Sequence, residues 1–255
     1  LPGPFFNASI KNRNTFKGLE ITEVNGRIGF EGLTSATESG KPYTSLDYGI
    51  NLSVTFPQFV LPLGSERKNN LGHLNPKTRI SGGLNFNNRI NEYLRRNINA
   101  SWTYLWQNFE KRRSYTFSMT DINLIYSELE PDFEDILDDL REQGNNLYRS
   151  FEPSFVNSMW FSAIHNINDY GNKKNTSAYF RYLLESGGNI LYYLNNISTS
   201  EVESLEFFRF ARVNLDYRKT TPVNSQITMA YRVNLGIAIP YGETETLPYE
   251  KFYFA

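Results

Sequence analysis

Between Ser225 and Ile239 the chain reads SQITMAYRVNLGIAI. Ile227, Met229, Tyr231, Val233, Leu235, Ile237 and Ile239 fall on one phase, and Thr228, Ala230, Arg232, Asn234, Gly236 and Ala238 on the other. Successive side chains of a β-strand point to opposite faces, so this segment is a strand with one apolar and one polar or small face. Its length is the constraint. Fifteen residues of strand rise about 50 Å, whereas strands of water-soluble sheets usually run about five or six residues.

The pattern recurs upstream. Tyr48, Ile50, Leu52, Val54 and Phe56 alternate with Gly49, Asn51, Ser53 and Thr55, and Ile98, Ala100, Trp102, Tyr104 and Trp106 alternate mostly with Asn99, Ser101, Thr103 and Gln107. Weaker alternation marks Phe6 to Ile10, Val24 to Phe30, Ile80 to Phe86, Ala178 to Leu184 and Ala211 to Tyr217, and Phe155 to Ile167 reads as a strand with ambiguous faces. Between Tyr115 and Leu129 the apolar phase slips from Phe117 and Met119 to Ile122 and Leu124, which predicts a β-bulge. That makes about ten strands and the start of an eleventh at Lys251. Turn signals separate them at Gly18, Ser39 with Gly40, Gly64 to Asn70, Asn87 with Asn88, Gly171 to Asn175, and Thr221 with Pro222. One segment differs: in EPDFEDILDDLREQG, Phe133, Ile136, Leu137 and Leu140 form a helical stripe after Pro131, closed by Gly144. Its acidic residues Glu134, Asp135, Asp138 and Asp139 read as a solvated face, since an EF-hand's glycine and alternating ligands are missing.

Long two-faced strands need a second sheet over the apolar face, or lipid. No run of about eighteen apolar residues occurs, so no conventional transmembrane helix is expected, but a transmembrane barrel needs none. In hydrocarbon such a sheet must close, because an open edge leaves backbone groups unsatisfied. The predicted class is all-β: a transmembrane antiparallel up-and-down β-barrel. Arg181, Arg212, Asp216, Arg218 and Arg232 then face the lumen with Asn214 and Asn234, and Trp102, Trp106, Tyr217 and Tyr231 are candidates for an interfacial girdle. Aromatic residues make up 15% of the chain, a load such a wall absorbs.

Several kinds of chemistry find no support. The 255 residues carry 26 basic and 27 acidic side chains, which gives no global drive toward nucleic acid. The absence of cysteine removes disulfides, thiolate nucleophiles and cysteine-ligated metals together. The two histidines, His73 and His165, are far apart, and no nucleophile elbow, phosphate-binding glycine loop or HExxH motif occurs. We therefore expect no enzyme, cofactor or metal. Five Asn-x-Ser/Thr matches are what the polar phase of alternating strands produces by chance, and Lys111 to Arg113 reads as a solvated or lipopolysaccharide-facing turn.

Four short stretches carry a resemblance. The terminal LPYEKFYFA is similar to the segment that, in the BamA/TamA family of outer-membrane assembly factors, leads into a Gly-Gly and the VRGF motif of the sixth extracellular loop. Asn12 to Gly18, NRNTFKG, resembles that family's NRNLFGGG turn, with Lys17 standing where glycine is frequent. Leu52 to Leu63, LSVTFPQFVLPL, resembles a strand and loop of the TamL-like lipoprotein branch, and GIAIPYG, Gly236 to Gly242, the approach to a periplasmic turn.

The resemblance implies a barrel of about sixteen strands, of which this chain holds strands one to about eleven. The remaining strands and the periplasmic POTRA domains would lie outside it, with Tyr253, Phe254 and Ala255 on the approach to the signature loop. With the first strand running outward, the helix after Pro131 would be periplasmic. Function by resemblance is assembly, insertion or translocation of client proteins in the bacterial outer membrane. It would work by templating at a lateral-gate strand, Phe6, Asn7, Ala8, Ser9, Ile10, Lys11 and Asn12. Implied partners are outer-membrane lipid and lipopolysaccharide, client barrels or surface proteins, and accessory periplasmic or lipoprotein subunits. Two other readings remain open: a passive porin or ligand transporter with a basic lumen, and a glycan-binding β protein.

Overall fold

The computed structural model describes residues 3–34, 42–61, 71–168, 170, 175–189, 206–224, 226–242, 247, 248 and 251. Its strands are β1 (Phe5–Arg13), β2 (Ile21–Thr34), β3 (Pro42–Phe56), β4 (Lys77–Arg89), β5 (Tyr93–Asn108), β6 (Arg113–Leu129), β7 (Ser154–Ile167), β8 (Ser177–Gly187), β9 (Glu206–Phe207), β10 (Phe210–Pro222) and β11 (Thr228–Pro240). One α-helix, α1 (Pro131–Glu142), lies between β6 and β7. All the long strands join one antiparallel sheet in the order β1-β2-β3-β4-β5-β6-β7-β8-β10-β11, each paired with its neighbour in sequence. The two-residue β9 pairs in parallel with the start of β7. Nothing in this order requires a crossover, as expected where every long strand is antiparallel to the next.

The registers fix the two faces. On one side the row Ala8, Gly26, Ile50, Leu84, Ile98 and Leu124 crosses six strands, while the row Ser9, Asn25, Asn51, Gly83, Asn99 and Asn123 crosses them on the other. The alternation read from sequence thus stays in phase from β1 to β6, which gives this part of the sheet one apolar and one polar face, whereas β7 mixes the two, with Val156, Trp160 and Ile164 on the polar side and Asn157 and His165 on the apolar one. The bulge falls where the slip placed it: Trp102 pairs with Thr120 and Thr103 with Ser118, leaving Met119 as the extra residue. The Ser118 hydroxyl donates to the Thr120 carbonyl at 3.1 Å, and the insertion returns Phe117 and Ile122 to the same face.

Helix α1 has Pro131 at its start and Gly144, at φ 78°, beyond its end. Its buried residues are Phe133 and Leu137, and its acidic side chains are exposed. The Phe133 ring meets Tyr93 and Phe151 at 5.7 and 5.3 Å, which docks the helix on the start of β5. Beneath it Glu92 is fully buried, pairs with Arg89 at 3.2 Å, and accepts at its carbonyl from the Glu130 N–H.

Three details differ from the sequence reading. Asn87 and Asn88 are not a turn; they continue β4, which is paired on both sides, and the chain reverses at Ile90 to Glu92 with Asn91 at φ 66°. Thr221 and Pro222 still belong to β10, and the reversal follows, where the Asn224 side chain accepts from the N–H groups of Gln226 and Ile227. Lys251 does not begin a strand: its N–H closes a 3-10 turn onto the Pro248 carbonyl at 2.9 Å. The turn signals at 39–40, 64–70 and 171–174, and the residues Tyr253, Phe254 and Ala255, lie outside the described residues.

Candidate functional site

The arginines expected in a lumen share the polar face of β8, β10 and β11, where they sort into two clusters. In the first, Asp216 lies between Arg181 of β8 and Asn234 of β11 in the pairing register, and the next row is Tyr179, Arg218 and Arg232. Asp216 is 4% exposed. Arg218 grips it with Nε at 3.0 Å and Nη2 at 2.6 Å, and Arg232 with Nε at 3.3 Å and Nη2 at 3.1 Å. The Arg218 guanidinium also lies 5.2 Å from the centre of the Tyr179 ring. Two planar forks on one carboxylate satisfy its oxygens and fix both arginines in place. Arg181 has no hydrogen bond or ion pair among the described residues.

The second cluster is built on Glu185, 6% exposed. Its carboxylate receives Lys251 Nζ at 2.6 Å, the Ser158 hydroxyl at 2.8 Å and Arg212 Nη1 at 3.3 Å. Lys251 stands above the Phe210 ring, 6.0 Å from its centre. Phe210 is fully buried with Val156 and Phe208, Leu247 packs against these three, and Pro248, the next residue in the chain, is itself fully buried. The chain therefore turns back after β11 and covers the polar face of β7, β8 and β10. Tyr241 starts the return, its hydroxyl donating to Asn189 at 2.7 Å beneath the Arg209 guanidinium.

The alternation could not reveal this cover. Glu185 was within reach of it, since it shares a phase with Arg181, but nothing local marks Lys251, Leu247 or Pro248 as its partners.

The candidate gate residues Phe6 to Asn12 lie inside β1, the sheet's first strand, which pairs only with β2 and is exposed along its whole length. Asn7, Ser9 and Lys11 are on the polar face, Phe6, Ala8, Ile10 and Asn12 on the apolar one. Beside this strand the apolar face carries a trough of about 700 Å³ lined by Phe6, Ala8, Gly26, Ile28, Ile50 and Leu84. The chain leaves β1 through a tight turn in which Asn14, Lys17 and Leu19 all have positive φ. There the Glu20 carboxylate accepts from the N–H groups of Gly18 at 2.9 Å and Phe16 at 3.2 Å. Its own N–H and those two hold its carboxyl below the usual glutamate range against a smaller desolvation effect.

The apolar face is largely bare even on strands inside the sheet: Ile50 is 52%, Leu84 41%, Ile98 44% and Leu215 37% exposed. Toward the ends nearest residues 109–112 it gathers aromatic rings, with Trp106 stacked on Tyr115 at 5.3 Å and Phe161 in reach of both. Phe59 caps Tyr104 and Trp106 edge-on. His73 lies in a short 3-10 turn and His165 on β7, and no metal-binding cluster of His, Asp or Glu occurs among the described residues. No helix among the described residues is long and apolar enough to cross a membrane, which says nothing of strands. No family model, curated protein or solved structure matches the chain.

Proposed function

We propose that this sheet is the wall of an outer-membrane β-barrel and that the protein assists the insertion or translocation of client proteins by offering β1 as a template. One observation carries the membrane part: the covered face is the polar one, and the bare face is the apolar one. Water penalises that arrangement, and lipid does not. The apolar run on β11, Met229 to Ile239, rises about 33 Å along the strand, or roughly 24 Å at a tilt near 45°, close to the apolar band of such barrels. Substituting Ile98 by Arg is expected to cost about 2–4 kcal/mol of folding free energy in a bilayer, whereas Asn97→Arg on the opposite face costs little. Equal effects of the two substitutions, measured by refolding into vesicles, would overturn the membrane reading.

The assembly part rests on the exposed edge and on the resemblance of the turn after it. Unpaired N–H and C=O groups along β1 are what an incoming strand needs for β-augmentation, and the adjoining trough accepts its apolar side chains. Lys17, where the resemblance expects glycine, has φ 67°, a conformation that favours glycine. The chain has no cysteine, so cysteines or photo-crosslinkers placed at Asn7, Ser9 and Lys11 report without background. During insertion of a barrel client, crosslinks are expected from these positions and not from Asn99 on β5. Productive insertion without any contact to β1 sinks the template mechanism.

The arginine-rich face favours a second reading, a passive pore for anionic solutes. A stable conductance in the absence of any insertase activity would select it.

Connection lengths favour one orientation. Segments 130–153 and 188–209, the two longest, leave from the same end of the sheet, and 57–76, the next longest, from the other. Transmembrane barrels keep short turns at the periplasm and long loops outside. On this ground we propose α1 on the outer side, against the periplasmic placement that the resemblance implies. Cleavage beside the exposed Arg141 by trypsin added to intact cells is the expected result, and protection there with cleavage only after permeabilisation restores the periplasmic placement.

A further inference from the structure

Arg218 and Arg232 grip the Asp216 carboxylate, and Arg181 is its register partner on β8, so three arginines on three adjacent strands share one carboxylate and two positive charges are left unbalanced. Arg218 and Arg232 are direct cross-strand partners, a placement that costs free energy for like charges unless an anion lies near both. Asp216 supplies one charge, and it is nearly buried. Arg218 and Arg232 spend Nε and Nη2 on it, so each keeps an Nη1 amino group with no partner among the described residues. Arg181, the register partner of Asp216 on the other side, keeps its whole fork.

Neighbouring groups do not relieve the imbalance. Glu185, the other carboxylate on this face of β8, is already occupied by Lys251, Ser158 and Arg212. Asn214 is engaged with Asn234 at 2.9 Å. The Tyr179 ring braces Arg218, so that guanidinium is placed before any ligand arrives. Planar, immobilised forks with unused N–H groups are the chemistry that recognises phosphoryl oxygens, and two excess positive charges match a doubly charged group.

We propose that Arg181, Arg218 and Arg232, organised by Asp216 and Tyr179, form a binding site for a phosphate-class dianion on the polar face of β8, β10 and β11. Arg232 is the outermost of the three, on the last strand of the sheet, and its side chain is 57% exposed. The phosphoryl group can belong to a soluble ion or to a lipid headgroup that reaches the polar face. This site requires only the geometry of the polar face and goes beyond the assembly reading.

The test uses the full chain in neutral detergent at low ionic strength. It is titrated with inorganic pyrophosphate and, separately, mixed with vesicles of phosphatidylcholine with and without phosphatidic acid. Saturable binding of at least one probe is expected. Arg181→Gln and Arg232→Gln are each expected to weaken it about tenfold, the loss of one charge-assisted contact. Lys219→Gln, which removes an equal charge from the opposite face beside Arg218, should leave it unchanged. Arg181→Gln breaks no contact among the described residues, so its β circular dichroism should match the parent and the loss cannot be ascribed to unfolding. Preference for pyrophosphate assigns a soluble phosphate, and preference for phosphatidic acid vesicles a lipid headgroup. Binding of neither probe, or equal weakening by Lys219→Gln, overturns the proposal.

Discussion

Strand β1 and the wall formed by β7, β8 and β10 are built from the same alternating code, yet they are held in opposite ways. Along β1 every residue is exposed and a single neighbour supplies the pairing. In the wall, each strand is paired on both sides, and the returning residues Leu247 and Lys251 pack on Phe210 and Glu185. Strand pairing alone thus gives an edge that another strand can displace or extend, whereas pairing plus a packed cover gives a fixed wall. A templating edge needs such a fixed support.

The largest break in that contrast is expected from Phe210→Ala. It empties a site with no solvent exposure, between Val156, Phe208 and Leu247, and should cost about 3–5 kcal/mol. Phe6→Ala on the exposed edge should cost less than about 1 kcal/mol. Denaturant unfolding in detergent measures both, and comparable losses would mean that the edge is packed as firmly as the wall.

Glu185→Gln should follow at about 3 kcal/mol, because it takes the carboxylate away from Lys251 in a largely buried place and weakens the contact with Arg212. Adding Lys251→Met should return part of the loss, since the surplus cation goes and its apolar stem over Phe210 is kept. If the double variant is no more stable than Glu185→Gln, the pair is not what holds the returning segment down.

A smaller effect of opposite sign is expected at the other end of the comparison. Lys17 sits at φ 67° in the turn that joins β1 to β2, where a side chain costs free energy and glycine does not. Lys17→Gly should stabilise the β1–β2 hairpin by roughly 0.5–1 kcal/mol. Slower amide exchange along β1 is the readout, and faster exchange would show that the lysine side chain contributes something the backbone strain does not outweigh.

The difference between edge and wall also marks what the sequence could disclose. Side-chain alternation is a local consequence of strand geometry, so all ten long strands, the two faces of all but β7, and a slip between Phe117 and Ile122 were visible residue by residue. The helix after Pro131 was visible for the same reason, its stripe repeating at 3.6 residues. Asn87 and Asn88 misled because asparagine pairs are common in turns, whereas here their partners across β3 and β5 keep both in the strand, Asn87 on its polar face and Asn88 on the other. The cover was hidden because its contacts are remote: Lys251 meets Glu185 across 66 positions of chain, and neither residue alters the local pattern. The arginines could be assigned a face but not a partner, since Asp216 gathers two of them only once β10 and β11 are in register.

The finest test of the edge uses pH. Glu20 lies in the turn after β1, and its carboxylate ties down the N–H groups of Gly18 and Phe16 while its own carbonyl accepts from those of Asn14 and Thr15. Because the folded turn favours the ionised form, its carboxyl titrates below the ordinary value of 4.5. A lowered acid constant means the folded turn binds its proton later than the unfolded chain does. The contribution is therefore complete above pH 4.5 and disappears as the pH falls through the lower folded value. Exchange protection of the Gly18 and Phe16 amides, corrected for the intrinsic pH dependence of exchange, should drop in that acidic window while the amides of β8 and β10 keep theirs. Glu20→Gln should show low protection at these two amides at every pH. Protection in the turn that stays flat through the window, or that is lost together with the wall, would remove Glu20 as the local tether of the β1 hairpin and with it the separation of edge from wall.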